Sequence, residues 1–248
     1  MLQRNSGGIM TTKGTKRQNS ICLLEKDGDY NQKQRCRELI MEINKAREKE
    51  YVDFTLDYYD VNAESFCFGT QNAAFSEHQD TFLSYLPPQA SILDLGCGSG
   101  RDSRAFLHKG YDVEAMDGSK ELCRLASQCI GKEVKCCKFQ ELEAENLYDG
   151  IWACASILHL NMADLETVMK RVYRALKPAG ILYTSFKYGE FEGVRNGRYF
   201  NDMTEEKMEL LLKRLKNFQI EKMWRTSDVR PGRSEEKWLN LLLRTKKE

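Results

Sequence analysis

The sequence lacks an apolar run of the roughly 20 residues that a membrane-spanning helix requires. Its first residues also lack the apolar stretch of a signal peptide. Lysine and arginine number 38 and aspartate and glutamate 37, so the net charge is only +1 and offers no argument for binding nucleic acid or a membrane surface. These absences predict a soluble, cytoplasmic protein with no membrane partner.

Cysteine spacing typical of metal sites is missing as well. Nine cysteines occur, but no two form a C-x-x-C pair, and Cys136 and Cys137 are adjacent. Adjacent cysteines suit neither a metal site nor an ordinary disulfide. We therefore expect reduced cysteines that act as small apolar residues, and no metal.

Residues 1–50 differ in character from the rest of the chain. Residues 1–32 are polar and without periodicity, which predicts a disordered start. Residues 33–50 have a helical pattern, with an apolar face formed by Leu39, Ile40, Ile43 and Ala46. We expect an N-terminal extension over 1–50 and a single domain over 51–248.

Residues 51–76 are rich in tyrosine and phenylalanine, and two interpretations stay open. The segment is either a helix packed on the core or a lid whose rings cover a ligand. Residues 77–86 predict a further helix, which Pro87-Pro88 ends.

From Ile92 onward, strand and helix patterns alternate. Apolar runs at 91–95, 112–116, 133–139, 149–155 and 180–186 predict strands, and the runs at 218–225 and 236–244 close the chain. Helices are expected at 102–108, after caps at Ser119 and Asn161, and at 204–216. This order predicts an α/β fold, a doubly wound parallel sheet with helices on both faces. Ligands bind such sheets at the carboxyl ends of the strands.

A glycine-rich loop, Gly96-Cys97-Gly98-Ser99-Gly100, follows the first strand directly. A dinucleotide fingerprint would have glycine at the position of Arg101. Asp94 stands at the strand end, where an acid disfavours a pyrophosphate but favours a cation such as the amino group and sulfonium of S-adenosylmethionine. Asp117, at the end of the second strand, can accept hydrogen bonds from both ribose hydroxyls. The acid–glycine–acid set therefore predicts an S-adenosylmethionine site.

The sequence resembles the class I S-adenosylmethionine-dependent methyltransferases, above all the small-molecule branch with the tellurite-resistance-like enzymes. The resemblance covers about residues 55–244 and implies a Rossmann-like, seven-stranded, mostly parallel sheet with one antiparallel strand. The matching segments are Ile92-Leu93-Asp94-Leu95-Gly96-Cys97-Gly98-Ser99-Gly100, Ala115-Met116-Asp117-Gly118-Ser119, Tyr148-Asp149-Gly150-Ile151-Trp152-Ala153 and Leu176-Lys177-Pro178-Ala179-Gly180-Ile181-Leu182.

The resemblance also implies roles for individual residues. Asp94 would bind the amino group of the cofactor and Asp117 its ribose. The family often has aspartate where the third strand ends, near the adenine amine, whereas this chain has Phe139-Gln140-Glu141, so Gln140 would take that role. Tyr59 belongs to a segment similar to the one that covers the cofactor. The full predicted cofactor set is Tyr59, Asp94, Gly96, Cys97, Gly98, Ser99, Gly100, Asp117, Gly118, Ser119, Gln140, Glu141 and Ala155.

His159 follows the fourth strand, beside the expected position of the transferred methyl group. A base is needed only if the acceptor must lose a proton, and His159 is the candidate for it. The alternative is a histidine that packs or caps at a helix start. His78 and His108 are expected to be structural or exposed.

Two late connections, 187–199 and 225–233, are rich in arginine. These side chains predict an anion-binding rim for the acceptor, with Lys187, Arg195, Arg198, Tyr199 and Arg230 as the candidates. The alternative is a solvated loop whose arginines pair with acids such as Asp228.

We therefore predict an S-adenosylmethionine-dependent methyltransferase with a small-molecule acceptor. If the arginine rim binds this acceptor, it favours an anionic one. RNA methylation stays open, although Cys154-Ala155-Ser156-Ile157 lacks the motifs of DNA amino- and cytosine-methylating enzymes. A cofactor-binding protein without catalysis stays open too, as does an aminopropyl or NAD-linked enzyme. The sequence carries no signal for an oligomeric state.

Overall fold

The computed structural model describes residues 30–71, 73, 75–230 and 232–247. The chain divides into two compact units, Met1–Lys49 and Glu50–Glu248. In the first unit the described residues, 30–49, are helical. The predicted disordered start and the side chains of Leu39, Ile40, Ile43 and Ala46 lie outside the described residues. The second unit contains the sheet and the candidate site.

Six α-helices are described. The first helix is longer than the sequence pattern predicts, since residues 33–70 form one helix rather than two segments. These residues contain no glycine or proline before Gly69, so no helix-breaking residue interrupts them. Ser119 and Asn161 cap the helices that follow them, as predicted, by accepting hydrogen bonds from Leu122 N–H and Asp164 N–H. The helices are α1 (Tyr30–Thr70), α2 (Ser76–Leu83), α3 (Arg101–His108), α4 (Lys120–Ile130), α5 (Met162–Ala175) and α6 (Glu205–Leu215).

In the described part of the chain, nine strands form one large sheet and one hairpin. They are β1 (Ser91–Leu95), β2 (Asp112–Asp117), β3 (Lys135–Cys136), β4 (Tyr148–Ala153), β5 (Leu176–Lys187), β6 (Glu192–Arg195), β7 (Arg198–Asn201), β8 (Phe218–Ser227) and β9 (Lys237–Thr245). The seven-stranded sheet has the order β3-β2-β1-β4-β5-β9-β8, and β9 runs in the opposite direction to the other six strands. The predicted Rossmann-like fold is confirmed.

Two predicted elements differ from the structure. The third strand was expected over 133–139 but comprises only Lys135–Cys136, and Phe139–Glu141 turn into a short 3₁₀ helix. The arginine-rich connection after β5 was expected to be a loop, but it contains the hairpin β6–β7. Its turn is Asn196-Gly197, both with positive φ, which is a strong hairpin signal.

The core lies between the sheet and the helices on its two faces. The apolar side chains of α5 at helical spacing, Leu165, Val168, Met169 and Val172, are fully buried. On the other face the ring of Trp152 stacks on that of Tyr183, with 3.9 Å between centroids. None of the helices among the described residues is both long enough and apolar enough to cross a membrane.

Candidate functional site

A cavity of about 220 Å³ lies at the carboxyl ends of the parallel strands. The loops that follow β1, β2 and β4 all reach it, and the strand-end residues Asp94 and Asp117 are part of its wall. One side of the cavity is formed by α1, through Thr55, Tyr59 and Phe66, and the far end by β7 and the β8–β9 connection. The parallel sheet thus places the motif loops in one space, where such folds bind ligands.

Most of the predicted cofactor residues line this cavity. Three do not. Gly100 begins α3 with a left-handed φ of 76°, and Ser119 caps α4. Glu141 accepts a hydrogen bond from the backbone N–H of Lys138. The residues of the set that line the cavity are Tyr59, Asp94, Gly96, Cys97, Gly98, Ser99, Asp117, Gly118, Gln140 and Ala155.

Asp94 is a buried carboxyl at the end of β1, only 2% exposed. It accepts a hydrogen bond of 2.6 Å from the hydroxyl of Ser103. No lysine or arginine among the described residues forms an ion pair with it. Burial, reinforced by the negative charge of Asp102, raises the pKa of Asp94 to about 8. A carboxyl in this state favours a cationic ligand, because a neighbouring positive charge restores its ionised form.

Asp117 ties the glycine loop to β2. One carboxylate oxygen accepts the Gly98 N–H and the other the Ser119 N–H, each at 2.9 Å. A carboxylate offers about four lone-pair positions, so each oxygen can accept a further bond from a ligand hydroxyl. Gly98 has a φ of +54°, and a Cβ on it would lie 3.0 Å from the ring of Phe66. The ring of Phe66 can therefore pack this closely on the loop only because this residue is glycine.

Gln140 carries an unsatisfied acceptor. Its Oε1 is buried and has no hydrogen-bond partner among the residues that the structure describes. Buried acceptors are almost always paired, so a donor from a ligand is expected here. The exocyclic amine of adenine is a donor of this kind. The residues present therefore fit S-adenosylmethionine at its amino group, ribose and adenine.

His159 is held by two hydrogen bonds. Its Nδ1 lies 2.6 Å from the carbonyl oxygen of Tyr199, and its Nε2 lies 2.8 Å from Tyr59 Oη. A carbonyl only accepts, so Nδ1 carries the hydrogen, and Nε2 accepts from the Tyr59 hydroxyl. Burial lowers the pKa of His159 to about 4 and raises the pKa of Tyr59. The imidazole is thus neutral, and its basic nitrogen is occupied by Tyr59.

We expect His159 to make the protein less stable as the pH falls below 6.5. The unfolded histidine has a pKa near 6.5, whereas the folded one has a pKa of about 4, so the unfolded chain binds the extra proton. The stabilisation is complete above pH 6.5 and is lost as the pH falls toward 4. Urea unfolding between pH 4 and 7 should show a shallower pH dependence for H159Q than for the wild type. An identical slope in both proteins would contradict the assignment.

The predicted acceptor residues fall into two groups. Lys187, Arg198 and Arg230 line the cavity, whereas Arg195 and Tyr199 do not. Arg195 forms two hydrogen bonds with Asp202, at 2.7 and 2.9 Å. The Tyr199 hydroxyl donates to Glu192 at 2.7 Å.

The basic residues at the far end are largely neutralised by nearby acids. Arg230 pairs with Asp228, and Lys187 pairs with Glu236. Much of the expected rim is therefore paired within the protein, as expected for a solvated loop with internal ion pairs.

Several residues of the site were not predicted from the sequence. His78, which was expected to be structural or exposed, is buried at the cavity wall. Trp238 and Asn240 come from β9, the last strand, and carry no local motif. Asp102 alone had a usable signal, an acid in the first turn of the helix after the glycine loop.

Comparison with known proteins places this site in context. Residues 92–180 match the family model described as a methyltransferase domain. YqeM of Bacillus subtilis is 34% identical over 116 residues, which are 42% of this chain and 47% of YqeM. Malonyl-(acyl-carrier protein) O-methyltransferase of Priestia megaterium is 30% identical over 119 residues, 46% of this chain and 43% of that enzyme. The chain spans about half the length of these curated relatives.

A solved structure shares the fold over most of both chains. The 1,6-didemethyltoxoflavin-N1-methyltransferase of Burkholderia thailandensis, with its substrate and S-adenosylhomocysteine bound, has a TM-score of 0.67 to this chain. The match covers 81% of this chain and 91% of that one, at 23% identity. The fold is thus the Rossmann-like fold of class I methyltransferases. The segment that contains the acid–glycine–acid site is therefore similar to methyltransferase domains, and its residues fit S-adenosylmethionine as the cofactor.

Proposed function

We propose that this protein transfers the methyl group of S-adenosylmethionine to a small-molecule acceptor. We place it in the small-molecule branch that includes the tellurite-resistance-like enzymes. The observation that carries the proposal is the pair of buried carboxyls, Asp94 and Asp117, on either side of a glycine loop. The cavity they line continues past Tyr59 to a polar end formed by β7, β8 and β9.

We assign the residues roles that agree with this geometry. Asp94 binds the amino group, Asp117 the ribose and Gln140 the adenine amine. The bound cofactor supplies a methyl group that its sulfonium already activates. The protein's main contribution is then positioning and the exclusion of water. Phe66 projects from α1 onto Gly98 of the glycine loop, and Tyr59 packs edge-on against Phe66 at the cavity wall. This arrangement suits a cover more than a helix that merely packs on the core.

A small acceptor is favoured over RNA by the state of the arginines. Arg195 and Arg230 are paired with Asp202 and Asp228, so they are not free to contact phosphates. The names of similar proteins also point to small or carrier-bound acceptors, a malonyl thioester carrier in one case and didemethyltoxoflavin in another. An anionic acceptor agrees with Arg198, which lines the far end of the cavity and forms no ion pair with any described residue.

The direct test is S-adenosylhomocysteine formation. Purified protein is incubated with S-adenosylmethionine and a small-molecule extract, or with total RNA, and the product is measured by mass spectrometry. Product with the extract supports the proposal. Product with RNA alone would favour RNA methylation, and binding without turnover in either would favour a non-catalytic cofactor-binding protein.

We expect S-adenosylhomocysteine binding to release a proton from Asp94. Burial raises the pKa of this carboxyl to about 8, so at neutral pH it is largely protonated in the free protein. The ammonium of the ligand stabilises the ionised form, and the proton leaves on binding. Calorimetry at pH 7 in two buffers of different ionisation enthalpy measures this release.

The matched variant for this measurement is D94N, which removes the titrating group but keeps its size. D94N should bind more weakly and release correspondingly fewer protons. Because burial also raises the pKa of Asp117, any release that remains in D94N reports on that second carboxyl. Equal release by both proteins would contradict the role of Asp94.

A further inference from the structure

Six lysine and arginine side chains line the cavity, and they differ in whether a nearby carboxylate pairs with them. Five of them lie within 4 Å of a carboxylate, whereas Arg198 forms no ion pair with any described residue. The five pairs are Arg101–Asp102, Lys138–Asp53, Lys187–Glu236, Arg230–Asp228 and Arg233–Glu236. Arg198 is therefore the cation in this cavity that the protein leaves for another group.

Aromatic rings, rather than acids, hold the guanidinium of Arg198. Its carbon lies 4.6 Å from the ring centroid of Tyr58, 5.2 Å from that of Phe200 and 5.6 Å from that of Tyr59. The hairpin turn brings Tyr58 close, since a Cβ on Gly197 would lie 2.8 Å from that ring. Stacking of this kind fixes the plane of a guanidinium while leaving its N–H edge available.

The hydrogen bonds of Arg198 are also incomplete. Its Nη1 donates to Tyr59 Oη at 3.3 Å, and its Nε is buried without a partner in the described part of the chain. A partly buried cation with unpaired donors is costly unless an anion meets it. The planar fork of a guanidinium matches a planar oxyanion, and the neighbouring rings favour a flat ligand.

We propose that the acceptor is a planar, conjugated acid, such as an aromatic carboxylic acid, phenol or enol, bound as its anion by Arg198. This inference rests on the proposed function, because it names the substrate class of the same site. Tyr59 lines the same cavity as Asp117, and its hydroxyl contacts Arg198. An acceptor bound as its anion has no proton to lose, which agrees with a His159 whose Nε2 is occupied by Tyr59.

The experiment uses simple probes on the full protein saturated with S-adenosylhomocysteine. Benzoate is the planar anion, benzamide its neutral counterpart and cyclohexanecarboxylate the non-planar anion. We expect saturation-transfer NMR titrations to show benzoate binding at least tenfold more tightly than either of the others. R198Q should lose at least tenfold in benzoate affinity, and R198K should recover part of it. R174Q, which alters an exposed arginine paired with Glu145, is the matched control and should bind benzoate like the wild type.

Three results would overturn the inference. One is benzoate affinity that R198Q leaves unchanged, and another is equal binding of benzoate and benzamide to the wild type, which needs no variant to fold. The third concerns the carboxylate of the cofactor itself. If R198Q weakened S-adenosylhomocysteine but not 5′-methylthioadenosine, which lacks the amino-acid part, Arg198 would bind the cofactor. None of these three results contradicts methyl transfer to a small molecule. Failure of the wild type to bind S-adenosylmethionine would contradict the proposed function itself.

Discussion

We expect D117A to bind S-adenosylhomocysteine on the order of 100-fold more weakly than the wild type. Asp117 lies at the end of β2, buried, with one oxygen toward the Gly98 N–H and the other toward the Ser119 N–H. Two further bonds from ribose hydroxyls to a carboxylate, at about 1.5 kcal/mol each, correspond to about 100-fold in affinity. Isothermal titration calorimetry measures the loss directly.

The control lies on the same strand. Asp112 begins β2, and its side chain is 75% exposed, so D112A should bind the ligand like the wild type. Because D117A also removes acceptors from the glycine loop, its folding must be checked by thermal unfolding without ligand. A sharper comparison uses adenosine and 2′,3′-dideoxyadenosine. The wild type should prefer adenosine and D117A should not, and an equal preference in both would contradict a ribose role for Asp117.

Local rules explain how much of this site the sequence could predict. Asp94 and Asp117 each end an apolar strand, and three glycines in five residues follow the first of them. Strand ends, glycine loops and caps depend on neighbours in the chain, so their positions follow from pattern alone. The same local rules apply to the hairpin β6–β7, because Asn196-Gly197 is a hairpin-turn signal. The polar residues around this turn favoured the prediction of a loop instead.

Pairing between distant side chains could not be predicted in this way. Arg195 and Arg198 lie on one hairpin and look alike in the sequence, yet only the fold shows that Asp202 neutralises the first of them. The surroundings of Arg198 come from α1, with Tyr59 139 positions away in the chain. The state of His159 likewise depends on Tyr59, 100 positions away. Which cation in the cavity stays unpaired is therefore a property of the tertiary structure.

The other large expected effect is on stability, at Asp102. We expect D102A to lower the free energy of unfolding by about 3–5 kcal/mol, the usual loss when one partner of a buried ion pair is removed. The carboxylate is buried and accepts two hydrogen bonds from Arg101, at 2.8 and 2.7 Å. It also accepts one from Gln79 at 2.7 Å and one from Trp152 at 2.9 Å. Removing it leaves a largely buried guanidinium without a counter-charge and two neutral donors unpaired.

The surface pair Lys109–Asp80 provides the comparison for urea unfolding. The Asp80 side chain is 66% exposed, so D80A should cost no more than about 1 kcal/mol. D102N keeps the shape and one acceptor of Asp102 but not the charge. A loss as large as that of D102A would assign the effect to the charge and the second acceptor oxygen together, and a small loss would show that one neutral acceptor is sufficient. If D102A were no less stable than D80A, Asp102 would not hold α2, α3 and β4 together, and the wall behind Asp94 would need another explanation.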